Sequence, residues 1–165
     1  MAEEIFTAST ENLRDLKKQR KRICALVNRA IREKQDPDLI SLTKMYALLY
    51  SAYVETSFLK LIHTPKAFTE SEIIQIMAER NLEQKWLKCV DLAFNKLNTT
   101  NLGEVANKKQ TLHRLLQEYI IDPSQIRNKV AHGQWVYCLN NECTKVNHDT
   151  TALMANLDFV KIEKY

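Results

Sequence analysis

An all-α fold, a helical bundle with a small C-terminal β-hairpin, is what this sequence predicts. Three observations carry that expectation. Apolar residues recur three and four apart over long stretches, helix-opening signals stand ahead of those stretches, and turn formers are scarce. The 165 residues include only two glycines and three prolines, fewer than a sheet-rich chain of this length needs for its turns. With 45% hydrophobic and 27% charged residues, the composition is that of a folded chain, and residues 1–165 read as one domain.

The first helix is predicted from Thr10, a good N-cap residue, to about Lys34. Leu13, Leu16, Ile23, Val27, Ala30 and Ile31 form its apolar stripe. Asp36 followed by Pro37 opens the second, because proline suits the first helical turn, where no N–H partner is needed. Leu42, Met45, Leu49, Ala52, Thr56 and Leu59 are its expected inner face, and it stops before Pro65. A short helix from Ser71 passes through Ile73, Ile76 and Met77. Asn81 caps the next, which turns Trp86, Cys89, Val90, Ala93 and Leu97 inward. A long helix covers about Leu102 to Ile121. Asp122-Pro123 repeats the opening signal for a short helix that Gly133 ends. Beyond it, QWVYCLN is rich in β-formers, Asn140-Asn141-Glu142 is turn-like, and Cys143 to Val146 reads as a returning strand, which gives a hairpin over about 134–147. The tail LDFVKIEKY carries the start of a last helix, whose pattern a longer natural chain would complete.

The net charge of +4 permits an anionic partner without demanding one. MAEEIFTAST lacks the apolar core of a secretory signal, and no run approaches the ~20 apolar residues of a membrane span. These features predict a cytoplasmic protein with no membrane partner, whose four cysteines are reduced thiols. Cys138, Cys143 and His148 have a loose zinc-like spacing, but they are three ligands where a structural zinc takes four. No metal or cofactor is expected. The run Lys17, Lys18, Arg20, Lys21 and Arg22 is either an RNA-binding surface or the solvated face of an amphipathic helix.

The segment with the most chemistry is Arg127-Asn128-Lys129-Val130-Ala131-His132. A guanidinium holds a phosphate bidentately and neutralises charge developing on it, and an imidazole exchanges a proton near neutral pH. Together they suit cleavage of RNA by attack of the 2′-hydroxyl on the adjacent phosphate, which asks for proton transfer and charge stabilisation. Five residues at ~3.6 per turn place Arg127 and His132 about 140° apart on one helix. Gripping one phosphate from both sides therefore needs either a second copy across a dimer axis or a helix that ends before His132, so that the imidazole swings back. At the bare spacing a plainer reading also stands, with Arg127 on the surface and His132 capping the helix C-terminus, where an imidazolium is favoured.

The fuller string RNKVAHGQW resembles the HEPN superfamily (higher eukaryote and prokaryote nucleotide-binding domains). These are helical domains marked by an arginine, often followed by a polar residue, and then a histidine after a short interval. Here those positions are Arg127, Asn128 and His132. The match spans about nine residues and looks most like prokaryotic members from toxin–antitoxin and antiphage-defence systems. The resemblance implies a HEPN-like bundle that forms a homodimer, with the paired motifs making a composite cleft for metal-independent endoribonuclease activity. It implies that Arg127 stabilises the scissile phosphate, that His132 is the general acid or base, and that Asn128 orients the phosphate or its partner. It also implies an acidic or polar residue on an earlier helix, for which Glu55 in SAYVETSFL is the candidate. Lys129, inside the motif helix, is expected to meet RNA. An antitoxin or other regulatory protein is an expected partner. The competing reading is a non-catalytic adaptor of the same type, binding a nucleotide or a protein.

Overall fold

The computed structural model describes residues 2–97 and 101–163. In chain order the elements are α1 (Ala2–Arg32), α2 (Asp36–Ile62), α3 (Glu70–Met77), α4 (Leu82–Asn95), α5 (Leu102–Leu116), a π-helical segment (Gln117–Ile121), α6 (Asp122–Ala131), α7 (His148–Ala155) and α8 (Phe159–Glu163). No helix among the described residues is long and apolar enough to cross a membrane. The helices gather into two compact units. One comprises Met1–Leu13 and Val54–Ile121, and the other Arg14–Tyr53 and Asp122–Tyr165, so α1 and α2 each contribute a stretch to both.

In the first unit, Phe58, Ile62, Ile76 and Cys89 form the buried core, with Leu59, Phe68, Ile73 and Trp86 packed against it. Phe58 and Trp86 meet with ring centroids 4.8 Å apart. α1 begins well before Thr10. That residue is a helix-interior threonine whose hydroxyl donates back to the Phe6 carbonyl at 2.8 Å, so it satisfies itself locally and caps nothing. Two caps are built from side chains. Thr69 and Glu72 form a capping box at α3, one residue ahead of the predicted helix, and Asn81 accepts from the Gln84 N–H at 2.9 Å to start α4 as the sequence predicts. α5 gives way to the π-helical segment just before Pro123. Proline cannot donate to a carbonyl one turn back and its ring crowds that carbonyl, which accounts for a widened turn at this place.

The second unit has two buried clusters. Val27, Tyr46, Ala47, Phe159 and Ile162 make one, and Val130, Cys138 and Met154 make the other, with Leu48 and Ile126 beside it. The inner face of α2 differs from the expected stripe. Thr43, Tyr46 and Ala47 are buried, whereas Met45 is 49% exposed and Ala52 faces solvent. The helix is apolar around most of its circumference, so periodicity alone does not choose a side. The two buried hydroxyls on this face are paired: Thr43 donates to the Leu39 carbonyl at 2.8 Å, and the Tyr46 hydroxyl binds Arg20 and Glu163.

The predicted hairpin is absent. The described residues hold no β-strand, and a single antiparallel bridge joins Leu139 and Val146. Two backbone bonds flank the bridge, from Asn140 N–H to the Lys145 carbonyl (2.9 Å) and from Asn147 N–H to the Cys138 carbonyl (2.7 Å), and side chains take neighbouring N–H groups. Cys138 N–H donates to Thr151 Oγ1 (2.9 Å), Leu139 N–H to Gln134 Oε1 (2.7 Å), and the Thr144 and Lys145 N–H groups to Asn140 Oδ1 (2.8 and 3.2 Å). Asn140 thus makes its own tight turn. Buried Cys138 ties the loop down beside Val130 and Met154. With these N–H groups satisfied by side chains, the pairing stops at the single bridge.

Candidate functional site

The motif occupies α6 and its C-terminus, within the second unit. Val130 is the anchor. It is 2% exposed, and it fixes which sides of the helix its neighbours present. Arg127 and Lys129 are half-buried, while Asn128 and His132 are exposed.

α6 ends at Ala131, and His132 stands at its C-cap. The His132 N–H still donates to the Asn128 carbonyl at 3.1 Å, and the chain turns only at Gly133, with φ at +75°. Gly133 N–H then binds the Val130 carbonyl (3.1 Å) and Gln134 N–H the Lys129 carbonyl (2.9 Å), the paired bonds of a Schellman cap. His132 is therefore the capping residue and keeps helical register, about 140° around from Arg127. The loop beyond the cap is held from several directions. Trp135 Nε1 donates to the Val130 carbonyl at 3.0 Å. Lys44 on α2 donates to the Trp135 carbonyl at 2.7 Å and lies 5.6 Å from the Trp135 ring centroid. Sequence reasoning missed Lys44 and Gln134 as supports of this loop, because a donor reaching a carbonyl leaves no pattern in sequence.

The other candidates are placed as follows. Lys129 donates to the Leu139 carbonyl at 2.7 Å, so its ammonium braces the loop. Glu55 is half-buried on the part of α2 that belongs to the first unit. Lys17, Lys18, Lys21 and Arg22 are exposed on α1. Arg20 is different: its guanidinium pairs with the Glu163 carboxylate and donates from Nε to the Tyr46 hydroxyl at 3.0 Å. Cys138 is buried, Cys143 is exposed, and His148 opens α7. The described residues contain no group of three His, Cys, Asp or Glu able to hold a metal ion. In the first unit, Asp91 pairs with Lys109 at 2.7 Å and has His113 Nε2 at 3.9 Å. Trp135, Val136 and Tyr137 follow the motif as a run of large, substantially exposed apolar side chains.

The Arg20 cluster is the most strongly perturbed set of ionisable groups. Hydrogen bonds from Arg20 to Glu163 and Tyr46 push the guanidinium further up. Burial, followed by the bond to Glu163, raises the Tyr46 phenol. Burial works against the charge on Glu163, but the donors around it prevail and hold its carboxyl below the usual range. Tyr46 and Glu163 are 117 residues apart, and nothing local in either segment announces the pairing. No protein-family model, no curated protein and no solved structure matches this chain.

Proposed function

We propose that the chain is a metal-independent endoribonuclease of the HEPN type, acting as a cytoplasmic homodimer in antiphage defence or a toxin–antitoxin system, under the control of an antitoxin or other regulator. The observation that carries this reading is the placement of the motif. An exposed imidazole stands at a rigidly capped helix end, with a half-buried guanidinium on the same helix about 140° away. One such helix cannot close on both sides of a phosphate, and two related by a dyad can. The exposed run Trp135 to Tyr137 beside the motif is apolar surface of the kind that association covers.

In this reaction one His132 takes the proton of the 2′-hydroxyl as the oxygen attacks phosphorus. The two Arg127 guanidinium groups stabilise the charge on the phosphorane, and the second His132 protonates the departing 5′-oxygen. The products are a 2′,3′-cyclic phosphate and a 5′-hydroxyl. Asn128 orients the phosphate, and Lys17, Lys18, Lys21 and Arg22 supply exposed charge for the RNA backbone.

The test is cleavage of single-stranded RNA by the full chain in EDTA, with end-group analysis of the fragments. His132→Ala changes an exposed side chain and is expected to lower the rate about 10²–10⁴-fold with the fold intact. Arg127→Lys keeps the charge and loses the bidentate fork, and it is expected to lower the rate as well. Wild-type cutting by both variants would overturn the assignment. RNA or protein binding with no cutting by the wild-type chain would favour the adaptor.

A further inference from the structure

Beside the Arg20 cluster, wholly within the second unit, lies a cavity of about 250 Å³ lined by Leu16, Arg20, Tyr46, Leu49, Tyr50, Tyr53, Ile162 and Glu163. Most of its wall is aromatic or aliphatic. One end is polar, and that end is organised around a carboxylate. The Glu163 oxygens take donations from Arg20 Nη2 and Nε (the latter at 3.4 Å), from the Tyr46 hydroxyl, and from Cys24 Sγ at 3.7 Å. Apart from Glu163 the cradle is a guanidinium fork, a phenol and a thiol, which together carry one positive charge and only donate toward the bound oxygens. Such a set recognises an oxyanion, and the planar fork suits the two oxygens of a carboxylate.

The carboxylate now in the cradle is held by Arg20 and Tyr46, yet the ion pair keeps contact with water. It comes from α8, a helix of five residues, and the side chains of Arg20 and Glu163 are 51% and 33% exposed. An external carboxylate that takes this place must displace Glu163, and the exposure of the pair keeps that penalty below the cost of opening a buried ion pair. The apolar wall supplies what Glu163 cannot use, a surface for a hydrophobic body attached to the carboxylate.

We propose that this cavity is a binding site for a small carboxylate bearing an aromatic or branched apolar body, with its carboxylate on Arg20 and Tyr46 and its body against Leu16, Leu49, Tyr50 and Tyr53, and that Glu163 is the built-in competitor which closes the site when it is empty. The site is separate from the α6 motif and does not depend on the ribonuclease reading.

The experiment uses the full ¹⁵N-labelled chain and 3-phenylpropionate as the probe. Resonances of the Arg20 Nε–H and the Tyr46 backbone N–H are followed to about 20 mM ligand, because a compound of this size binds with Kd on the order of 1 mM. Saturable shifts are expected with the carboxylate and not with 3-phenylpropanamide, which has the same body without the charge. Glu163→Gln removes the competitor and is expected to tighten binding about three-fold or more, a change that runs against any loss of stability in the variant. Arg20→Gln is expected to abolish binding. No saturable shift in the Glu163→Gln protein, an equal response to the amide, or weaker binding after Glu163→Gln would overturn the proposal.

Discussion

Replacing Gly133 by alanine tests the geometry on which the candidate site rests. Gly133 has φ of +75°, and a Cβ built there meets no heavy atom within 4 Å. Sterics with neighbours therefore cost nothing, and the whole penalty is the conformation itself. An L-residue with a Cβ pays about 1–2 kcal/mol for the left-handed region, and roughly half a kcal/mol returns because alanine restricts the unfolded chain. The net loss is about 1 kcal/mol, or about 2–4 °C in Tm for a chain of this size. Asparagine tolerates the left-handed region better, so Gly133→Asn is expected to cost about half as much. The assay is urea unfolding followed by fluorescence of Trp135, whose indole donates to the Val130 carbonyl within the same cap. Trp86 lies in the other unit, so a Trp86→Phe background leaves Trp135 as the only indole. An unchanged midpoint for Gly133→Ala, or a lower midpoint for asparagine than for alanine, would refute the Schellman cap as what fixes His132.

Three further outcomes follow from the cores and the titratable groups. Phe58→Ala empties the centre of the first unit's core, where Phe58 is 2% exposed, and is expected to cost about 3–5 kcal/mol in urea titrations followed by Trp86. Burial lowers the pKa of His63 from its ordinary 6.5, and its Nδ1 is buried without a hydrogen-bond partner among the described residues. Above pH 6.5 the imidazole is neutral in both states. As pH falls below 6.5 the unfolded chain binds a proton that the folded chain refuses, so stability falls until the pH passes the folded value. A stability–pH profile that loses this slope in His63→Leu supports the assignment, and an unchanged slope refutes it. In a thiol-reagent time course, Cys143 is expected to react first because it is exposed. Buried Cys138 and Cys89 should wait for unfolding, and burial also pushes the Cys89 thiol up to about 11. Fast modification of a Cys143→Ser protein to more than one thiol would contradict the packing.

Much of the helical framework was legible in the sequence because its signals act over one turn. Asp36-Pro37, Asn81, Asp122-Pro123 and Gly133 each satisfy or remove a donor within four residues, and the helices start and stop where these signals stand. The same local logic misread Thr10, since a threonine hydroxyl serves a cap or its own helix equally well, and the second use leaves Ala2 to begin α1. The motif Arg127, Asn128 and His132 was legible as a spacing. The backbone position of His132 was not, because it depends on how the helix is capped, and the left-handed turn at Gly133 decides that.

What the sequence by itself determined is the all-helical class and most helix boundaries. Tertiary structure alone decided three other matters. The β-forming segment after Gly133 pairs at one bridge and goes no further, because Thr151 and Gln134 side chains take the Cys138 and Leu139 N–H groups. α2 turned Tyr46 inward, where Arg20 and Glu163 meet its hydroxyl. Arg20 left the basic face of α1 for Glu163, 143 residues away. In each case the deciding partner is distant in the chain or hidden from periodicity. A hydrogen-bonding group is satisfied by whatever the fold brings within about 3 Å, and residue spacing along the chain does not encode that.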